Sequence, residues 1–142
     1  MKPIVSFLFL LLFAQSCGFV YERHLTGNYY LIAVDTKEDM DVCYHPQSED
    51  APYAGITGAS VYAVGYDDEF ILVKGYRALK DSMGRSLQQY DRQVTEYYII
   101  PVDNTQEAWE AQENKFGAFG RQDFELRRKE LGVSGDIRFK DL

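Results

Sequence analysis

Residues 4–14 (IVSFLFLLLFA) are apolar at every position except Ser6, with no polar residue recurring at helical period. Beyond that run the pattern changes to short apolar stretches divided by polar turns. Residues 29–34 (YYLIAV) are aromatic and β-branched and close on the polar 35–39, which predicts a strand and a turn. Residues 40–45 predict a returning strand stopped by Pro46, and 46–58, with two Pro and two Gly, a loop. Residues 60–65 (SVYAVG) and 69–75 (EFILVKG) flank Tyr66, Asp67 and Asp68 as a hairpin, with Gly65 free to bend. The unbroken apolar run at 70–73 predicts a strand covered on both faces. Residues 76–93 are polar and predict a long excursion with at most a short helical turn. Residues 95–102 (TEYYIIPV) predict the next strand, ended or held at an edge by Pro101, which lacks an amide donor.

The character of the chain changes after Asp103. Residues 106–114 predict a helical turn or two with Trp109 as the only large apolar side chain. Residues 122–131 (QDFELRRKEL) form the better helix: Asp123 and Glu125 stand near its start, and Arg127, Arg128 and Lys129 toward its end. Gly132 is placed to stop it, and Phe124 and Leu131, seven apart, share the face that rests on the sheet. Residues 136–142 alternate, with Ile137 and Phe139 inward, and predict a short final strand. The expected fold class is α+β: an antiparallel β meander of about five strands, one C-terminal helix packed on it and a short final strand. Residues 27–142 are expected to form one domain, with 17–26 as a tether.

Charge and leader add a compartment to this fold. The chain has 142 residues with 15 Lys+Arg against 22 Asp+Glu, a formal charge of -7. That balance excludes a nucleic-acid partner, whose phosphates need a basic footprint. Two Cys exclude a disulfide-dense scaffold and a multi-Cys zinc module. Lys2 followed by the apolar run reads as an N-terminal signal peptide, because the run is shorter than the roughly 20 residues needed to span a bilayer. Ala14, Gln15 and Ser16 lead directly into Cys17. This junction resembles a bacterial lipoprotein signal, which implies cleavage before Cys17 and a diacylglyceryl thioether on its sulfur. Residues 1–16 would then be the cleaved leader and Cys17 the lipidation site. Their removal takes away Lys2 and no acid, so basic residues fall from 15 to 14 against 22 acidic, formally -8. A chain of that charge is repelled by anionic headgroups, so the acyl chains must supply the adhesion, at about 0.8 kcal/mol per buried methylene. Cys43, flanked by Val42 and Tyr44, reads as a small buried hydrophobe.

The second half carries a family resemblance. Val61-x-Ala63-x-Gly65 and Glu69-Phe70-Ile71-Leu72-Val73-Lys74 form the hairpin, and Tyr97-Tyr98-Ile99-Ile100 the strand after it. Phe116-Gly117-x-Phe119, then Phe124, Arg128, Leu131, Gly132 and Val133, close the pattern. It resembles a group of small bacterial lipoproteins classed only as a domain of unknown function. In that group a tyrosine-rich strand leads to a Gly turn and a Phe-containing basic helix. Ala118 and Phe119 stand where the pattern has Pro and Leu. The resemblance spans most of residues 28–142 and implies fold and compartment, with no catalytic residues.

Other constellations point to ordinary structure. Asp35, Glu38, Asp39 and Asp41 form an acidic turn without the Gly of a calcium loop. Asp67, Asp68 and Glu69 are turn formers. Cys43 and His45 share a strand face, but a zinc site wants a third ligand that His24 alone does not guarantee. Arg121, Arg127, Arg128, Lys129, Arg138 and Lys140 read as a solvated helix face with pairs such as Glu125–Lys129. Tyr29 and Tyr30, like Tyr97 and Tyr98, are consecutive on strands, so one ring of each pair faces away from the other. They are the candidate partner-binding face, and burial of both faces under loops and helix is the competing reading. No cofactor and no metal are expected. The functional expectation is a non-enzymatic, lipid-anchored cell-envelope protein, most naturally of the outer membrane, that binds an unknown protein or envelope partner. An inhibitor or immunity-type lipoprotein and a small envelope hydrolase are the alternatives.

Overall fold

The computed structural model describes residues 18–142; the leader expected at 1–16 and Cys17 lie outside the described residues. Two apolar runs meet at its centre. In β6 (Phe70–Lys80) and β7 (Ser86–Pro101), Ile71 pairs with Ile100, Leu72 with Ile99 and Val73 with Tyr98. All six side chains are buried, and they alternate between two separate cores. Ile71, Val73, Tyr98 and Ile100 point into one, Leu72 and Ile99 into the other. A strand pair with no polar face needs a cover on each side.

The first cover is a small antiparallel sheet. It is built from β1 (Tyr21–Thr26), β2 (Tyr29–Ala33), β3 (Asp41–Tyr44) and β4 (Ala54–Gly55), in that spatial order. Its inner face supplies Leu25, Tyr29, Leu31, Ala33, Val42 and Tyr44 to the first core. The second cover is the helix α2 (Arg121–Glu130) with the tail behind it, which supply Phe124, Val133 and Ile137. Between them lies the larger sheet, in the order β8 (Phe116–Phe119), β7, β6, β5 (Ser60–Tyr66) and β9 (Lys140–Asp141). A short helix α1 (Ala108–Glu113) follows β7 and buries Ala111 in the first core, leaving Trp109 exposed. Among the described residues the two cores draw on residues 21–139.

A polar network fastens the small sheet to the chain leaving β7. Gln106 Nε2 donates to the Tyr29 hydroxyl at 2.6 Å, and Tyr44 donates to the Gln106 carbonyl at 2.8 Å. Asn114 donates to the Gln106 side-chain oxygen, and the Asn28 amide donates to the Asn104 side chain, both at 2.8 Å. The buried members, Gln106, Tyr29 and Tyr44, are thereby satisfied, as a dry interior requires.

Several expectations need correction. The expected tether at 17–26 contains β1, which pairs with β2 from Tyr21 opposite Ala33 onward. Its polar residues Glu22, Arg23 and His24 are exposed, which is why the stretch carries no strand pattern. The expected meander of about five strands is two sheets with nine strands among the described residues. The expected excursion at 76–93 is a β-ribbon: Arg77 pairs with Asp91, Ala78 with Tyr90 and Lys80 with Ser86. Outside the body both its faces meet water, so backbone pairing holds it without hydrophobic alternation. The loop at 46–58 includes β4, and the final strand shrinks to β9, which pairs with β5. The hairpin 60–75, the helix at 122–131 and its stop at Gly132, with φ of 68°, agree with the sequence reading.

Phe124→Ala removes the fully buried ring that seats α2, and should cost about 3–5 kcal/mol in urea unfolding. Leu126→Ala, 59% exposed on the same helix, should stay within about 0.5 kcal/mol. Burial pushes the Tyr29 phenol from 10.0 up to about 12, so the folded chain keeps this proton after the unfolded chain has lost it. The Tyr29 contribution is whole below pH 10 and falls away toward pH 12, so the urea midpoint should drop across pH 10–12. Tyr98 shifts the same way, so Tyr29→Phe should make the drop shallower without abolishing it.

Candidate functional site

The strands of the larger sheet are longer than the cover laid over them. β6 and β7 have 11 and 16 residues, whereas the small sheet's strands have 2 to 6. Where the ribbon runs past the small sheet, its inner face is left open as a groove of about 870 Å³. Arg77, Leu79 and Lys80 line the ribbon side, Thr57 and Gly58 one lip, and Lys115 and Ala118 the other. Glu96 and Tyr98 form part of its wall.

Each wall has a local cause. Asp41 fixes the first lip: its carboxylate accepts from the Thr57 amide at 3.1 Å, the Gly58 amide at 3.0 Å and the Thr57 hydroxyl. Burial raises the Asp41 carboxyl, and the Thr57 and Gly58 donors oppose that shift. The second lip depends on Gly117, at φ of 126°, which lies against β7. A Cβ there would stand 2.6 Å from the Tyr97 carbonyl oxygen and 2.8 Å from Tyr98 Cδ1. On the wall, the Tyr98 hydroxyl donates to Glu96 at 2.8 Å and Arg77 Nε donates to the other Glu96 oxygen at 3.0 Å. The one wall carboxylate is therefore occupied at both oxygens. Lys80 and Lys115 bring two ammonium groups to the groove, and neither has a carboxylate partner among the described residues. The groove is a cationic recess in an acidic chain.

The tyrosines expected to form one binding face do not share one. Tyr29 is wholly buried in the first core, and Tyr98 is buried there too, at the wall of the groove. Tyr97 lies on the opposite side of the larger sheet, its ring 4.9 Å from Phe124. Only Tyr30 reaches the outer surface of the small sheet. For Tyr97 and Tyr98 the reason is the two-sided cover of the larger sheet, which leaves neither ring a solvent face, whereas the small sheet is covered on its inner side. Tyr30 instead joins rings from elsewhere in the chain. It stands 5.0 Å from His24 and 5.4 Å from Tyr53, and Tyr53 meets Phe19 at 5.4 Å and stacks on His45 at 4.5 Å. Of these, only His24 and Tyr30 lie on directly paired positions, so nothing in the sequence spacing groups them.

The remaining candidates have structural places. Cys43 is buried opposite Tyr30, and burial with the nearby Asp41 charge pushes its thiol up to about 12, so it stays protonated. His45 turns its ring onto Tyr53 and bonds the Ala51 carbonyl at 2.9 Å. Among the described residues no three His, Cys, Asp or Glu side chains group closely enough to hold a metal ion. In the acidic turn, Asp39 accepts from the Thr36 amide at 3.1 Å and Glu38 pairs with Arg92. Asp67 accepts from the Glu69 and Phe70 amides, both at 2.8 Å, closing the hairpin. On α2 the ion pair is Arg127–Glu130 at 3.2 Å rather than Glu125–Lys129. Arg128 ties the tail down by donating to the Ser134 and Ile137 carbonyls.

Comparison with known proteins adds a family and no activity. Neither the curated proteins nor the solved structures contain a match to the chain. A family described as a protein of unknown function (DUF3997) matches residues 26–142, which takes in both sheets except most of β1, and both helices. The chain belongs to that family.

Proposed function

We propose that the chain is a lipid-anchored protein of the bacterial cell envelope, held through Cys17, that binds an acidic group of an envelope partner without catalysing a reaction. The membrane side of the reading rests on residues 1–17: one Lys, an apolar run too short to span, and small residues up to a cysteine. The binding side rests on one observation, the groove of about 870 Å³ in a chain of formal charge -7, where Lys80 and Lys115 have no carboxylate partner among the described residues and the Lys115 ammonium donates to the Gln112 carbonyl. A cation in an acidic chain favours an anionic group from outside, because the chain's own carboxylates repel that group everywhere else. Glu96 is engaged within the wall, accepting one bond at each oxygen from Arg77 and Tyr98, so the groove's unengaged charge is that of its lysines.

The test uses the full chain expressed in a bacterial host, with a photo-cross-linking residue at Leu79 on the groove. Wild type should sediment with membranes, resist carbonate and dissolve in detergent. Cys17→Ser should lose that behaviour and appear in the soluble fraction or as an uncleaved precursor. The double variant Lys80→Glu with Lys115→Glu should stay with the membrane and lose the cross-linked species seen in wild type. Wild type that is soluble overturns the anchor, and an unchanged cross-link in the lysine variant overturns the groove.

A further inference from the structure

The five-ring cluster on the outer face of the small sheet is separate from the groove and takes no part in either core. Phe19, His24, Tyr30, His45 and Tyr53 form a continuous chain of ring contacts at 4.5–5.4 Å. The acid within the cluster, Glu22, is met by the Tyr53 hydroxyl at 3.2 Å. Such a face is aromatic and half-polar at its ring tips, with Glu22 on β1 and the exposed Glu49 and Asp50 on the loop that carries Tyr53. Rings with an apolar body and a polar tip settle at the membrane–water boundary.

The position of the anchor decides what this face meets. Cys17 precedes Phe19 by two residues and β1 by four. Four residues reach at most about 14 Å when fully extended. Phe19 is packed edge-on against Tyr53, so part of that reach is spent on the cluster itself. An acyl-bearing Cys17 sits at the headgroup level, and the cluster must then lie within one short tether of it. The opposite cover, α2, lies beyond the small sheet, the first core and the larger sheet.

We infer that the Phe19–Tyr53 aromatic face docks the domain on the bilayer that holds its anchor, with its rings at the headgroup boundary and α2 turned to the aqueous side. The inference rests on the proposed anchoring at Cys17. The occupant is a phospholipid interface, because the tether brings no other surface so close and because rings with an apolar body and a polar tip settle at its headgroup boundary.

The experiment supplies the tether chemically, so its result is independent of whether cells acylate the chain. The chain from Cys17 to Leu142 is coupled by maleimide to a lipid in phosphatidylcholine vesicles. The buried, protonated Cys43 does not compete for the reagent. Trp109 is replaced by Phe, and a single reporter is introduced as Tyr53→Trp or, separately, as Leu126→Trp on α2. Lipids brominated along the acyl chain then quench whichever indole reaches the boundary. Tyr53→Trp should shift to the blue and be quenched at least about twofold more than Leu126→Trp. Equal quenching of the two, or an unquenched Tyr53→Trp, overturns the docking while leaving the anchor to be judged by the fate of Cys17→Ser in cells. If Tyr53→Trp does not fold, Tyr30→Trp reads the same face. Self-association of the untethered chain that Tyr53→Ala abolishes would assign the face to a second copy and also overturn the inference.

Discussion

The structure depends on a strand pair that has no side to show to water. Residues 70–73 and 97–100 place bulky side chains on both faces of β6 and β7, and each buried large apolar side chain contributes roughly 1.5–3 kcal/mol only if it is covered. One cover cannot serve both faces. The chain before the hairpin therefore folds into a sheet for one face, and the chain after β7 returns as helix and tail for the other. A three-layer domain is the consequence. The network around Gln106 lets the chain cross from one layer to the next without leaving a polar group stranded in the interior.

The same arrangement creates the surfaces available for function. Strands of the central layer run beyond the shorter strands of the small sheet, and the exposed remainder becomes the cationic groove. Among the described residues no further sheet or helix covers the outer face of the small sheet, and rings from four separate stretches of chain gather there. Groove and aromatic face thus arise from what the core demands and from where its covers end. On the proposed reading, the anchor enters beside the aromatic face and leaves the groove and α2 for the aqueous compartment.

Much of the core was legible because burial on two faces writes unbroken apolar runs, and the 60–75 hairpin and the helix around Phe124 could be placed from them. The ribbon at 76–93 was not legible, since solvated strands are held by backbone bonds that any residue supplies. β1 was hidden for the same reason: Glu22, Arg23 and His24 face water. The tyrosine doublets were visible but ambiguous, as a strand alternates sides whether or not both are roofed. The aromatic cluster was beyond reach of spacing. Its members come together because the loop 46–53 folds Tyr53 back over Tyr30, a contact between residues 23 apart that no local period encodes.

The claim that bears most weight is that the leader is removed and Cys17 becomes the membrane attachment. The intact mass of the chain extracted in detergent from bacterial membranes tests it most directly. The account predicts a chain that begins at Cys17 and carries the added mass of diacylglycerol, with Cys43 unmodified. A chain that still begins at Met1, or a processed chain whose Cys17 sulfur is a free thiol, would contradict it.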